Sequence, residues 1–141
     1  MVLSNSKKFE FLEHTADVKF RVYGKSLRDI FSNCALAISQ IISRGKKIKA
    51  VKKKEFSVSG RDYEAMLYNF IDELIYLLDA ESFVVSRADV SFDEDKVNVT
   101  VYGDDASRYN DLDAIKSATY AEMYVREAGK GNWEAQVVVD V

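Results

Sequence analysis

The chain has 141 residues, of which 48% are hydrophobic and 30% charged, and a formal net charge of -3. These values fit one domain over 1–141 with a sizeable core. They exclude an intrinsically disordered chain and a global electrostatic field that attracts nucleic acid. The single cysteine excludes an internal disulfide and a thiolate metal cluster. Since neither a signal peptide nor the roughly 20 consecutive apolar residues of a membrane span can be found, a cytoplasmic location is expected.

The first part of the chain alternates apolar and polar residues, which is typical of strands. Phe9 and Phe11 begin one predicted strand. The apolar positions of the next predicted strand are Val18, Phe20 and Val22. Residues 13–17 lie between the two, so they are expected to form a loop or strand end where side chains can converge.

Two segments predict amphipathic helices. The first begins at Ser26, which forms a capping-box-like pair with Asp29, and it ends at Gly45. The second begins at Asp62, a favourable N-cap residue. The apolar stripe of the first helix consists of Leu27, Ile30, Phe31, Cys34, Ile38, Ile41 and Ile42. The apolar stripe of the second consists of Met66, Leu67, Phe70, Ile71, Leu74, Ile75 and Leu78. With one apolar face each, both helices should pack on a sheet or on one another.

The remaining segments alternate like strands. Phe56 and Val58 close a lysine-rich strand. Further predicted strands run from Val84 to Phe92, from Val97 to Tyr102, from Ile115 to Val125 and from Trp133 to Val141. The order of strands, helix, strand, helix and then strands predicts an α+β fold, with two amphipathic helices packed with mixed or antiparallel β-sheets.

Two places carry carboxylates of possible function. Asp17 directly precedes an apolar alternating strand, where an aspartate more often caps a turn. The chain ends with Asp140 and Val141, so a side-chain carboxylate and the terminal carboxylate are adjacent. Such groups suit a hard divalent cation, while the competing interpretation is an ordinary frayed terminus. The apolar run before Asp140 favours a terminus that is tied into a sheet.

Three other features have a plain and a functional interpretation. His14 is the only histidine, and a hydrogen bond to the loop backbone is its expected role. Six lysines within residues 46–54 indicate an edge strand protected from aggregation or a patch that binds RNA. Lys116 follows Asp111 and Asp113, which is typical of a surface ion pair, although it could also donate to a phosphate.

Motifs of independent enzymes are missing from the sequence. It contains no P-loop, no dinucleotide-binding glycine pattern, no HExxH, no CxxC and no GxSxG. Cys34 lies on the apolar stripe of a helix and is expected to be an inert core residue. We therefore expect a non-catalytic protein.

Several motifs in order resemble the archease family. Phe11–Val18 reads FLEHTADV, similar to the family's opening, and Tyr23–Leu27 continues the likeness. The family's two helices are similar to Asn33–Ile38 and Phe70–Tyr76. Its KxxTY strand is similar to Ile115–Tyr120, and its ending to Trp133 with Val139–Val141. The resemblance spans nearly the whole chain. It departs at Lys19 and Ala121, where many members have other residue types, and at 109–111, which lack a histidine frequent in the family.

The resemblance implies a helper of the RtcB-type RNA ligase, which joins RNA ends in tRNA splicing. Archeases promote guanylylation of that ligase and its multiple turnover, and they broaden its use of nucleoside triphosphates. The resemblance also implies a divalent cation, Ca²⁺ with Mg²⁺ or Mn²⁺ as alternatives, on Asp17, Asp140 and Val141. Lys116 and His14 are the residues it suggests for activation of the partner.

Two other classes of function remain as alternatives. An RNA-binding or chaperone-like module would use the lysines of 46–54 and would bind RNA in a salt-dependent way. A small metal-dependent hydrolase would turn over a phosphoester by itself with added Mg²⁺ or Mn²⁺, but no nucleophile or base beyond the carboxylates supports it.

Overall fold

The computed structural model describes residues 7–13 and 16–141. In this part of the chain the strands are β1 (Phe9–Leu12), β2 (Val18–Gly24), β3 (Lys52–Ser59), β4 (Phe83–Asp93), β5 (Lys96–Asp105), β6 (Ser117–Glu127) and β7 (Trp133–Asp140). The two α-helices here are α1 (Leu27–Ser43) and α2 (Tyr63–Glu81), and a short 3-10 helix covers Ala106–Arg108.

Both helices begin at the predicted N-cap residues. The Ser26 side chain accepts a hydrogen bond of 3.1 Å from the backbone N–H of Asp29, whose carboxylate accepts one of 2.9 Å from the N–H of Lys25. At the start of α2, the Asp62 carboxylate accepts a hydrogen bond of 2.8 Å from the N–H of Ala65. Each cap satisfies a backbone donor that has no partner inside the helix, so the sequence prediction of both helix starts is confirmed.

The strands form a four-stranded sheet in the order β1-β2-β7-β6 and a three-stranded sheet in the order β3-β5-β4. Every pairing is antiparallel. Each helix contacts strands of both sheets, so the helices form a layer between the two sheets. The predicted α+β fold is confirmed, with antiparallel rather than mixed sheets.

One cluster of buried side chains joins both sheets to both helices. Phe31 of α1 contacts Phe70 of α2 edge to face at 5.2 Å between ring centroids, and it meets Phe92 of β4 at 5.4 Å. Burial of each such ring contributes about 1.5–3 kcal/mol. Cys34 is fully buried in this cluster, as predicted, and burial raises the pKa of its thiol, which keeps it unreactive.

No helix in the described ranges is long and apolar enough to cross a membrane.

The start of the strand that was predicted from Ile115 differs slightly in the structure. Ile115 is buried in the core and precedes β6, which begins at Ser117.

Candidate functional site

The register of the four-stranded sheet brings Asp17 and Asp140 to the same end. Val18 is opposite Val139 in the β2–β7 pair, so one step further along this antiparallel ladder places Asp17 beside Asp140. On the other side of β7, Ser117 is opposite Asp140. Strand β7 is therefore central, and its last residue lies between the starts of two other strands.

Lys116 joins this end through its backbone. Its N–H donates a hydrogen bond of 2.7 Å to the carbonyl oxygen of Asp140. Its side chain is exposed. The three charged residues that the resemblance suggested, Asp17, Lys116 and Asp140, thus come to the same end of the sheet, although Asp17 is far from the other two in the chain.

Alternation along the strands determines which face these residues occupy. Val18, Val137 and Val139 face the core. Because side chains of neighbouring strand residues point to opposite faces, Asp140 lies on the outer face, away from the helices, and Asp17 is in the bend just before β2. Asp140 is exposed and Asp17 is partly buried. The carboxylate of Asp140 is therefore on the side of the sheet that a partner can reach, whereas one oxygen of Asp17 is buried.

The last strand holds this end in place. Val137 and Val139 are fully buried and Val138 is 1% exposed. Strand β7 is paired on both sides, with β2 and with β6. The prediction that the C-terminus is tied into a sheet is confirmed, and the alternative of a frayed terminus is wrong.

A hard cation at this end would need both side-chain and main-chain oxygen atoms as ligands. Among residues 7–13 and 16–141, no group of three or more histidine, cysteine, aspartate or glutamate side chains could hold a metal ion. Two carboxylates, the terminal carboxylate of Val141 and nearby main-chain oxygens are nevertheless the oxygen donors that Ca²⁺ or Mg²⁺ prefers. The ligand set of Asp17, Asp140 and Val141 therefore stays a prediction.

His14 and Thr15 lie outside the described residues. The hydrogen bond expected for His14, and its suggested part in activating a partner, therefore stay predictions.

The ion pair expected for Lys116 is not formed. Asp113 instead approaches Arg44 at 3.8 Å, and its N–H donates a 2.8 Å hydrogen bond to the carbonyl oxygen of Ile42. The Lys116 side chain forms no ion pair within the described part of the chain. Its ammonium group is available to a ligand or partner because Asp113 is engaged at the end of α1.

A bulge follows this end in β6, and no local sequence pattern predicts it. The register with β7 shifts between Thr119 and Tyr124, so the four residues 120–123 face the single residue Val137 of β7. Tyr120 stacks on Tyr68 of α2, with ring centroids 4.3 Å apart and planes 6° apart. Bulges of this kind occur next to functional sites, where they redirect side chains. No glycine marks the bulge, although Glu122 has a φ of 56°.

Lys19, one of the departures from the family pattern, contacts this bulge. Lys19 of β2 forms an ion pair of 2.9 Å with Glu122. The side chain of Gln136 donates a 2.8 Å hydrogen bond to the carbonyl oxygen of Glu122. Lys19 thus contacts the bulge through Glu122, the residue after Ala121.

The lysines of 46–54 lie in two different environments. Lys52–Lys54 are on β3, an edge of the three-stranded sheet, which confirms the prediction of a lysine-bearing edge strand. Lys46, Lys47 and Lys49 precede this strand and belong to an irregular segment.

The opposite end of the four-stranded sheet contains a cavity of about 620 Å³, lined by residues such as Lys25, Asp29, Asn33 and Trp133. Glu10 accepts hydrogen bonds from Tyr23 at 2.7 Å and from Lys7 at 3.1 Å. These bonds hold the pKa of Glu10 below its usual range. Burial, together with the same hydrogen bond, raises the pKa of Tyr23 to about 12. At this end the charged side chains of Glu10 and Lys25 form hydrogen bonds within the described part of the chain.

Comparison with known proteins gives consistent relatives. The model of the archease protein family matches residues 9–141. The protein archease of Pyrococcus abyssi is 33% identical over 96% of this chain and 99% of its own, and that of Pyrobaculum neutrophilum is 33% identical over all of both chains. The solution structure of Methanobacterium thermoautotrophicum protein 1598 superposes with a TM-score of 0.79 at 28% identity, and the match covers 94% of this chain and 98% of the other.

Proposed function

Because the chain belongs to the archease family, we propose that it is an accessory protein that activates an RtcB-type RNA ligase and is not itself a catalyst. In this role it promotes guanylylation of the ligase, sustains multiple turnover during tRNA splicing and broadens the range of nucleoside triphosphates that the ligase uses. The ligase is its partner, and tRNA is met through the ligase.

One observation carries the proposal. Asp17, Lys116 and Asp140 come from three separate segments, and the register of β2, β7 and β6 brings them to one exposed end of a sheet. None of the three is needed to fill the core, which lies on the other face of the sheet. Lys116 and Asp140 are exposed and are joined by a backbone hydrogen bond of 2.7 Å, which suits contact with another molecule.

The chemistry of this end suits phosphate groups. Asp17, Asp140 and Val141 would hold a divalent cation, for which Ca²⁺ is the first candidate and Mg²⁺ or Mn²⁺ the alternatives; when bound, it supplies positive charge next to phosphate oxygens. The ammonium group of Lys116 donates hydrogen bonds as a compact point charge. Such a donor stabilises the charge that develops on the phosphates while the ligase is guanylylated.

The test is multiple-turnover ligation of RNA ends by an RtcB-type ligase from the same source. The ligase is limiting, GTP and Mn²⁺ are supplied, and guanylylation is followed separately. We expect the protein to convert a reaction that stops near one turnover into a sustained one. Asp17→Ala and Lys116→Ala should each lower the rate of guanylylation at least about tenfold, as loss of a group at a metal site commonly does.

A matched control comes from the far hairpin. Lys96 is exposed at the turn between β4 and β5, so Lys96→Ala should activate as the unaltered chain does. Full activation by both Asp17→Ala and Lys116→Ala would exclude this site. Phosphoester turnover by the isolated protein with Mg²⁺ or Mn²⁺ would favour the hydrolase alternative instead.

A further inference from the structure

The lysine-rich segment 46–54 divides into two halves at the start of β3. The second half lies on the strand, and each lysine in it is near a carboxylate. The pairs are Lys52 with Asp105 at 2.8 Å, Lys53 with Glu55 at 4.0 Å and Lys54 with Glu81 at 2.5 Å. These charges are compensated within the chain, which suits an edge strand that must not aggregate.

The first half, together with Arg44 and Gly45 before it, makes up residues 44–50, which we call the basic loop. Its three lysines, Lys46, Lys47 and Lys49, are all exposed. None of their ammonium groups approaches a carboxylate within ion-pair distance in the ranges that the structure describes. Lys46 donates a hydrogen bond of 3.0 Å to the carbonyl oxygen of Asn110, a contact that leaves its charge uncompensated.

The backbone of the basic loop is anchored to the rest of the molecule. Ile48 is 3% exposed and belongs to the core. The N–H of Lys49 donates a hydrogen bond of 2.9 Å to the hydroxyl of Tyr109, and the N–H of Val51 donates one of 3.0 Å to the carbonyl oxygen of Gly103. Little backbone entropy therefore has to be lost when the lysines meet a ligand.

The basic loop lies beside the end that carries Lys116. Arg44, at its start, pairs with Asp113 at 3.8 Å. Asp113 is three residues before Lys116, and three residues span at most about 11 Å. The loop thus adds positive charge next to the end where Asp17 and Asp140 meet, although the chain as a whole is negative.

We propose that the basic loop binds the phosphate backbone of RNA through Lys46, Lys47 and Lys49. No side chain of residues 44–50 is aromatic, so bases cannot stack on the loop and binding is independent of sequence. A protein partner fits less well, because the only large apolar residue of the basic loop, Ile48, is buried, and the exposed Val51 that follows the loop is a single small side chain. The inference goes beyond the proposed function, since guanylylation of the ligase requires no RNA.

The experiment measures binding of a fluorescein-labelled single-stranded RNA of mixed sequence to the full chain over a series of salt concentrations. Each neutralised phosphate contributes a slope of about -0.7 to the dependence of log K on log salt for a single strand. The double variant Lys47→Gln/Lys49→Gln should therefore make the slope shallower by about 1.4. The double variant Lys52→Gln/Lys53→Gln removes the same charge from the strand half and should keep the slope.

Three results would overturn the inference: no salt-dependent binding by the unaltered chain, equal effects of the two double variants, or a loop variant that loses ligase binding in the absence of RNA. The last result would indicate an acidic protein surface as the occupant. The two proposals can fail separately. Lys116→Ala should abolish the stimulation of guanylylation and keep the RNA slope, whereas the loop variant should show normal guanylylation in an assay without RNA.

Discussion

The two ends of the four-stranded sheet use their charged residues in different ways. At the end where β2 finishes and β7 begins, Tyr23 and Lys7 bond to Glu10, while Tyr124 and Arg126 contact Glu134. The carboxylates of Glu10 and Glu134 are thus compensated by neighbours from the same chain. They therefore serve the fold.

At the other end the backbone does the positioning. The side chains of Lys116 and Asp140 make no hydrogen bond or ion pair in the described part of the chain, although a 2.7 Å backbone bond joins the two residues. The comparison teaches that the charges of Lys116 and Asp140 contribute little to stability. Substitutions there should affect function, and substitutions at the first end should affect stability.

The largest expected effect comes from a substitution in the hydrophobic core, which supports both ends of the sheet. Phe70 is fully buried and contacts Phe31, so Phe70→Ala should lower the free energy of unfolding by about 3–5 kcal/mol. Activation of the ligase should fall only in proportion to the unfolded fraction. Urea unfolding measures the first quantity and the ligation assay the second.

The control for Phe70→Ala lies on the same helix. Tyr76 is 53% exposed, so Tyr76→Ala should change the unfolding free energy by less than about 0.5 kcal/mol. If Tyr76→Ala were as destabilising as Phe70→Ala, the assignment of the core to the inner face of α2 would be wrong.

A pair of conservative substitutions tests the comparison directly. Asp140→Asn should leave the unfolding free energy within about 0.5 kcal/mol and lower activation at least about tenfold. Glu134→Gln should do the reverse, because it weakens the contacts with Tyr124 and Arg126 and costs about 1 kcal/mol while activation persists. The comparison fails if both substitutions lower activation equally at equal stability.

The elements of this fold were accessible to sequence reasoning, since helix periodicity, strand alternation and the caps at Ser26 and Asp62 are local signals. The resemblance to archeases suggested Asp17, Lys116 and Asp140 as a set. Their meeting depends on the β2–β7 register, which joins residues far apart in sequence, so composition and spacing alone left it open.

Other features depend on tertiary contacts that no local pattern announces. The bulge at 120–123 has no glycine and is held by Tyr68 and Lys19 from distant segments. Likewise, the lysines of 46–54 look uniform in the sequence. Carboxylates of Asp105 and Glu81 distinguish the strand half from the loop half, and both come from elsewhere in the chain.

The smallest expected effect is the pH dependence of the first end. The folded pKa of Tyr23 is raised to about 12, so the neutral hydroxyl is favoured by folding. This contribution is complete below the unfolded pKa of about 10 and is lost as the pH rises to about 12. The pKa of Glu10 is lowered by the hydrogen bond from Tyr23 and by Lys7, so its contribution is present above the unfolded value of about 4.3 and is lost as the pH falls.

Tyr23→Phe removes the shared hydrogen bond. Urea unfolding of both proteins at several pH values should show the unaltered chain more stable near neutral pH, with a difference that shrinks in both acid and alkali. A difference that stays constant at every pH would mean that Tyr23 stabilises the sheet by packing alone, and this end would then no longer be an example of charges that serve the fold.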